Sequence, residues 1–185
     1  MIIVMGTPGA GKSSIIDEFV RRHPDAKVIN FGTLMYEIAQ KEYGLKNRDE
    51  MRNLTRDKFR ELQSKAANAL LKYDRDTIVD THASVKTVDG YYPGFPYYIL
   101  SKIKVDAFVY IHASMETILS RRMRDKSRKR DIETLEQIKF HEEINLSLVC
   151  TYASQANAPV KFIINEDGKL EDAIKEFEES VKPRG

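Results

Sequence analysis

Redox, membrane and strongly charged chemistries have little to work with in this chain of 185 residues. It has one cysteine and no tryptophan. A single thiol excludes an intramolecular disulfide. Cys150, which sits among Leu146, Val149 and Ala153 in a segment of helical period, reads as a buried, inert side chain. The four histidines and that cysteine show no metal-ligand spacing, so no structural zinc is expected. No apolar run approaches the roughly 18 residues of a membrane span. The opening residues lack a basic region and a cleavage site, so no secretory leader is expected, and the cytoplasm is the expected compartment. Lys and Arg exceed Asp and Glu by only two, too little to argue for nucleic acid or a membrane surface. Repeats, low-complexity tracts and interdomain linkers are absent from the sequence.

What is present is an alternation. Short apolar runs at 2–5, 27–30, 77–80, 107–111 and 160–164 are separated by segments of helical period at 12–21, 32–43, 55–73, 115–124, 131–157 and 171–181. Ile15, Ile16, Phe19 and Val20 share one face of the first helix; Thr55, Ser114 and Asp131 read as N-caps of later ones. Such alternation predicts an α/β fold, a five-stranded parallel sheet with helices on both faces. The strands are almost wholly apolar, as both-sided burial requires. Residues 83–96, rich in Gly, Pro and Tyr, break the pattern, and Val88-Asp89-Gly90-Tyr91 reads as a turn between short extended pieces.

Residues 6–13 read Gly-Thr-Pro-Gly-Ala-Gly-Lys-Ser and lie between the first strand and the first helix. This is a complete phosphate loop in its proper context. Gly6, Thr7, Pro8, Gly9, Ala10 and Gly11 supply a turn that can wrap an anion. Lys12 can reach the β- and γ-phosphates, the Ser13 hydroxyl can meet Mg²⁺, and Ser14 continues into the helix, whose positive end faces the same anion. Asp80 ends the third strand, on the side of the sheet where ligands bind in this class. It is placed either to hold Mg²⁺ beside Ser13 or simply to cap a strand end. Asn30, Phe31, Gly32 and Thr33 follow the second strand. With Arg52 they are placed to take a second anionic ligand, although Arg52 can equally pair with Asp49 or Glu50. Thr81, His82 and Lys86 follow the Asp80 strand and point to the same ligand, His82 without needing to act as a base.

Residues 121–130 hold seven Lys or Arg and one acid, Asp125. A solvated basic face is one reading. A short lid between two helices, bringing arginines over a transferring phosphoryl group and excluding water, is the other. No aromatics interleave the basic residues, which argues against single-stranded RNA as the ligand. D-x-x-G and [NT]-K-x-D elements are both missing, which argues against a GTP switch.

Together these stretches resemble the archaeal type of adenylate kinase. The resemblance rests on GTPGAGKSS (6–14), INFGTLM (29–35), RDEMRNL (48–54), the DTHA and GYYPGFP elements within 78–96, and SRRMRDKSRKRD (120–131), and it covers almost the whole chain. It implies a P-loop NTPase three-layer fold in one domain: core 1–30, 74–120 and 131–185, an AMP-side helical insertion over about 31–73, and a short lid over about 121–130. It implies reversible phosphoryl transfer from MgATP to AMP, giving two ADP. Gly6 to Ser14 correspond to the ATP loop, Asn30 to Thr33 and Arg52 to the AMP side, and Arg124, Arg128 and Arg130 to the lid cations. A homotrimer is implied as well. The alternatives are a kinase for another small acceptor, such as UMP or CMP, and an ATPase or nucleotide-binding module.

Overall fold

The computed structural model describes residues 1–87, 89–124 and 133–182. Five strands form one parallel sheet in the order β2 (Val28–Asn30), β3 (Ile78–Asp80), β1 (Ile2–Gly6), β6 (Ala107–His112), β7 (Val160–Ile164). The helices are α1 (Lys12–Arg22), α2 (Phe31–Tyr43), α3 (Arg56–Leu70), α4 (Tyr97–Leu100), α5 (Met115–Arg124), α6 (Leu135–Ala156) and α7 (Leu170–Val181). A 3₁₀ turn, Arg48–Asn53, joins α2 to α3, and an antiparallel hairpin, β4 (Ser84–Thr87) with β5 (Gly90–Pro93), follows β3.

Period-two alternation along the strands divides the interior. Ile3 and Met5 point into a cluster with Phe31, Phe59, Leu62 and Tyr152 from α2, α3 and α6. Val4, between them, points the other way, into a cluster with Ile15, Phe19, Ile118, Ile174 and Phe177 from α1, α5 and α7. This is the expected three-layer arrangement. Each buried Ile or Phe contributes about 1.5–3 kcal/mol, so a one-residue slip of β1 would cost several such contributions at once. The register is thereby fixed, and with it the end of β1.

That end lies where the chain reverses its direction of travel across the sheet. β1 is flanked by β3 on one side and β6 on the other. Connections that diverge on either side of a strand leave a crevice at its carboxyl end.

Four details differ from the sequence reading. Val20 is 36% exposed, because α1 packs on Ile15, Ile16 and Phe19 alone. Cys150 is exposed: its neighbour Val149 takes the inward position, and the next residue turns about 100° away. The long helix begins at Leu135 under a capping box from Thr134 and Gln137, and Asp131 lies outside the described residues. Thr55 precedes α3 as read, but its side chain makes no capping hydrogen bond.

Candidate active site

The phosphate turn joins β1 to α1. Gly9 and Gly11 have φ of +101° and +88°, left-handed values that favour glycine. Space is equally restrictive at Gly11, where a Cβ would collide with the Asn165 amide nitrogen. Side chains from later elements hold the turn's carbonyls. Arg122 Nε donates to Pro8 O at 2.8 Å, and Asn165 Nδ2 and Arg121 Nη1 donate to Ala10 O at 2.9 and 3.2 Å. The turn lines a cleft of about 470 Å³ shared with His82, Arg121, Arg124 and Asp167. Asp167 accepts from Arg121 and Arg124 at 2.8 Å each, holding both at the cleft edge. These pairs are largely solvated, so each adds less than about 1 kcal/mol to stability.

Lys12 and Asp80 are both buried and form an ion pair. The other Asp80 oxygen accepts from Asn30 Nδ2 at 2.5 Å. Asn30 Oδ1 in turn caps α2, accepting from Thr33 N at 2.9 Å and Thr33 Oγ1 at 3.1 Å, and it also receives Arg48 Nη2 at 3.2 Å. Lys12, Asp80, Asn30, Thr33 and Arg48 thus form one chain from the phosphate turn to the start of α2. Arg52 lies exposed on the 3₁₀ turn, and Glu50 accepts from Lys46 N and Asn47 Nδ2. Arg48 escaped the sequence reading although the same RDEMR stretch carries it, four residues before Arg52.

Thr81 is buried, its N–H bonded to Val4 O at 3.0 Å, which sets His82 at the cleft. Phe31 is buried against Phe95, with ring centroids 5.3 Å apart, and Gly32 follows it in the first turn of α2. Lys86 sits on β4, its ammonium 2.9 Å from Glu133 Oε1, and the second Glu133 oxygen pairs with the buried Arg122 guanidinium. Burial pushes the Glu133 carboxyl up, but Lys86 and Arg122 outweigh it and hold it below the usual range. Ser13 is exposed to the cleft. Arg128 and Arg130 lie outside the described residues.

Behind the turn is a polar network that sequence reasoning missed. The buried Thr7 hydroxyl donates to Glu142 and accepts from Asn145 Nδ2 at 2.8 Å. Glu142 also accepts from Tyr110 OH at 2.9 Å and meets His112 Nδ1 at 2.7 Å. Asn145 Oδ1 accepts from Ser84 Oγ at 2.6 Å, and Ser84 lies 3.0 Å from His141 Nε2. Burial pushes the Glu142 carboxyl up, but hydrogen bonds from His112, Thr7 and Tyr110 together carry it below its ordinary value. Tyr110 is pushed up by burial and by the Glu142 charge. The hydrogen bond to Glu142 raises His112 against an opposing burial effect, whereas burial lowers His141.

The raised His112 gives a pH prediction. Its stabilising contribution is complete below the unfolded histidine value of about 6.5 and fades as pH rises through the higher folded value. Glu142 has the opposite sign: its contribution fades only as acid reaches its depressed value. Thermal midpoints should therefore fall further between pH 6 and pH 9 in the wild type than in His112→Ala. His112 is about a third exposed, so screening limits the difference to about 1 kcal/mol, or no more than about 4 °C. Equal falls in the two proteins would remove the charged pair from the account.

Comparison with known proteins agrees with this geometry. A family model described as an AAA domain matches residues 5–139. The chain is 42% identical to the adenylate kinase of Thermoplasma acidophilum over 171 residues, 92% of each chain. It is 42% identical to the adenylate kinase of Pyrococcus horikoshii over 181 residues, covering 96% of this chain and 92% of that one. Among solved structures, shikimate kinase from Bacteroides thetaiotaomicron superposes with a TM-score of 0.62 at 14% identity over 98% of both chains, which bears on the fold alone. The parallel sheet, the phosphate turn at its switch point and relatives matched along nearly their whole length lead to one assignment: the chain carries the AAA domain that the model describes and belongs to the archaeal adenylate kinase family.

Proposed function

We propose that the chain transfers the γ-phosphoryl group of MgATP to AMP, reversibly, giving two ADP. The observation that carries this reading is the run of contacts from Lys12 through Asp80 and Asn30 to Thr33 and Arg48, which joins a triphosphate turn to a second, helix-capped polar site. A simple ATPase needs only the first half of it.

An oxygen of the AMP phosphate attacks the γ-phosphorus, and the bond to the β–γ bridging oxygen breaks toward ADP. No protein nucleophile is required, so the protein contributes alignment and positive charge. The turn from Gly6 to Ser14 takes the ATP phosphates. Lys12, already held in place by Asp80, meets the transferring group. Arg124 covers that group from the lid side, with Arg128 and Arg130 proposed for the same task. Asn30, Phe31, Gly32, Thr33, Thr81, His82 and Lys86 form the acceptor side, with Arg52 proposed beside them and Arg48 added.

The Ser13 hydroxyl and the Asp80 carboxylate are hard oxygen donors, the kind Mg²⁺ takes while keeping several waters. Both Asp80 oxygens already accept protein hydrogen bonds, so Asp80 suits contact through water. Mg²⁺ held by these two residues would supply positive charge to offset that of the phosphates. Assembly as a homotrimer and a cytoplasmic location belong to the same proposal. Exposed Phe162 and Ile164 on edge strand β7 offer an apolar strip for self-association, which sedimentation equilibrium would test.

Phosphorus NMR of ATP, AMP and Mg²⁺ with the protein should show both nucleotides converging on ADP, with EDTA stopping the exchange. Inorganic phosphate appearing without phosphorylation of AMP would overturn the kinase reading. Faster transfer to UMP or CMP would overturn the acceptor.

A further inference from the structure

Glu142 puts a buried carboxylate behind a turn built for phosphate. Its charge has the wrong sign for attracting an anion, and its burial is costly unless hydrogen bonds replace water. Apolar residues of similar volume are often at least as stabilising as a buried charged group. Stability alone therefore gives little reason for placing Glu142 there, whereas geometry gives one.

Two side chains a helical turn apart on α6, Glu142 and Asn145, hold the single hydroxyl of Thr7 in the phosphate turn. His141 and Asn145 hold the single hydroxyl of Ser84, where the acceptor-side hairpin begins. The Asn145 amide joins the two grips, its nitrogen on Thr7 and its oxygen receiving Ser84. Tyr110 and His112 brace Glu142 from the central strand β6. Immediately before α6, Glu133 repeats the arrangement: it pairs with Arg122, which is bonded to Pro8 O, and with Lys86 on the hairpin. The α6 helix and the residue leading into it thus reach the donor turn and the acceptor hairpin through two separate sets of contacts.

We propose that residues 141–145 of α6 are a positioning clamp that sets the phosphate turn in register with the acceptor-side hairpin, with Glu142 as its central positioning residue. This rests on the kinase reading above. The clamp touches neither nucleotide. It fixes the distance between the two sites, and it should therefore affect how often a phosphoryl group reaches AMP rather than water.

The variant Glu142→Gln keeps the side chain's size but gives one of its three donors an N–H in place of an acceptor. Full-length wild type and variant should be compared for ADP formation, inorganic phosphate release, both KM values and the thermal midpoint. We expect kcat for transfer to fall at least about tenfold with both KM values within about threefold, and the ratio of phosphate to ADP to rise at least about threefold. Ser84→Ala, which cuts the acceptor-side grip, should move kcat and the ratio in the same directions. The double variant should be within about twofold of Glu142→Gln alone, since both break one linkage.

A Glu142→Gln protein with a lower midpoint but wild-type kcat and wild-type ratio would overturn the proposal, as would effects that multiply independently. If Glu142→Gln does not fold, Ser84→Ala decides alone, and an unchanged ratio with unchanged kcat rejects the clamp. A wild type that forms no ADP from AMP would instead reject the kinase reading itself.

Discussion

Lys12→Ala is expected to lower kcat at least about a thousandfold, because the lost cation faces charge that moves during transfer, where preorganised electrostatics act most strongly. The structure adds a cost. Lys12 and Asp80 are buried together, and removing one partner of a buried pair costs about 3–5 kcal/mol when the other charge is left uncompensated. Asp80 keeps its hydrogen bond from Asn30, so the expected loss lies near the lower end of that range. Combining Lys12→Ala with Asp80→Asn separates the two effects. The double variant should recover most of the thermal midpoint and none of the turnover, as read by calorimetry and a coupled ADP assay. Recovery of turnover in the double variant would remove Lys12 from the chemistry.

Gly11→Ala should come next in size. The added methyl meets two obstacles: a left-handed φ of +88°, and the Asn165 amide lying where the new carbon must go. Moving Asn165 breaks its 2.9 Å bond to Ala10 O, one of the contacts that shape the turn. A displacement of about 1 Å at a phosphate site costs on the order of a hundredfold in rate, so kcat/KM for ATP should fall by about that factor. Strain adds roughly 1–3 kcal/mol of destabilisation. Gly44→Ala is the matching control: its φ is also left-handed, at +67°, but no atom lies within 4 Å of the added carbon. It should lose some stability and little activity. Equal loss of activity in both variants would show that backbone strain alone, and not the displaced Asn165, governs the turn.

The sheet and the phosphate turn were legible in the sequence because their causes are local. Alternating apolar residues fix the strands, and glycines followed by Lys12 and Ser13 leave few conformations open. The α6 interior was not legible for the converse reason. His141, Glu142 and Asn145 are polar side chains at helical spacing, which a pattern reading assigns to water. They turn inward only because Thr7 and Ser84, 138 and 61 residues away from Asn145, supply the matching groups. Arg122 was hidden among seven basic residues, since nothing local marks which one faces Pro8 O. Thr134 is different. Its signature, Thr134-x-x-Gln137, was present in the sequence and outranks Asp131 as a helix start.

Asn30 shows how tightly two duties can be fused in a single side chain. Its carbonyl end starts α2 while its amino end steadies Asp80. Aspartate would also begin the helix, but would set two carboxylates face to face. Serine and threonine would begin it too, but are too short to reach across. Mutational drift at this position therefore has a single tolerated answer, and a lineage could abandon the amide only by rebuilding a helix terminus and a cation seat in the same step.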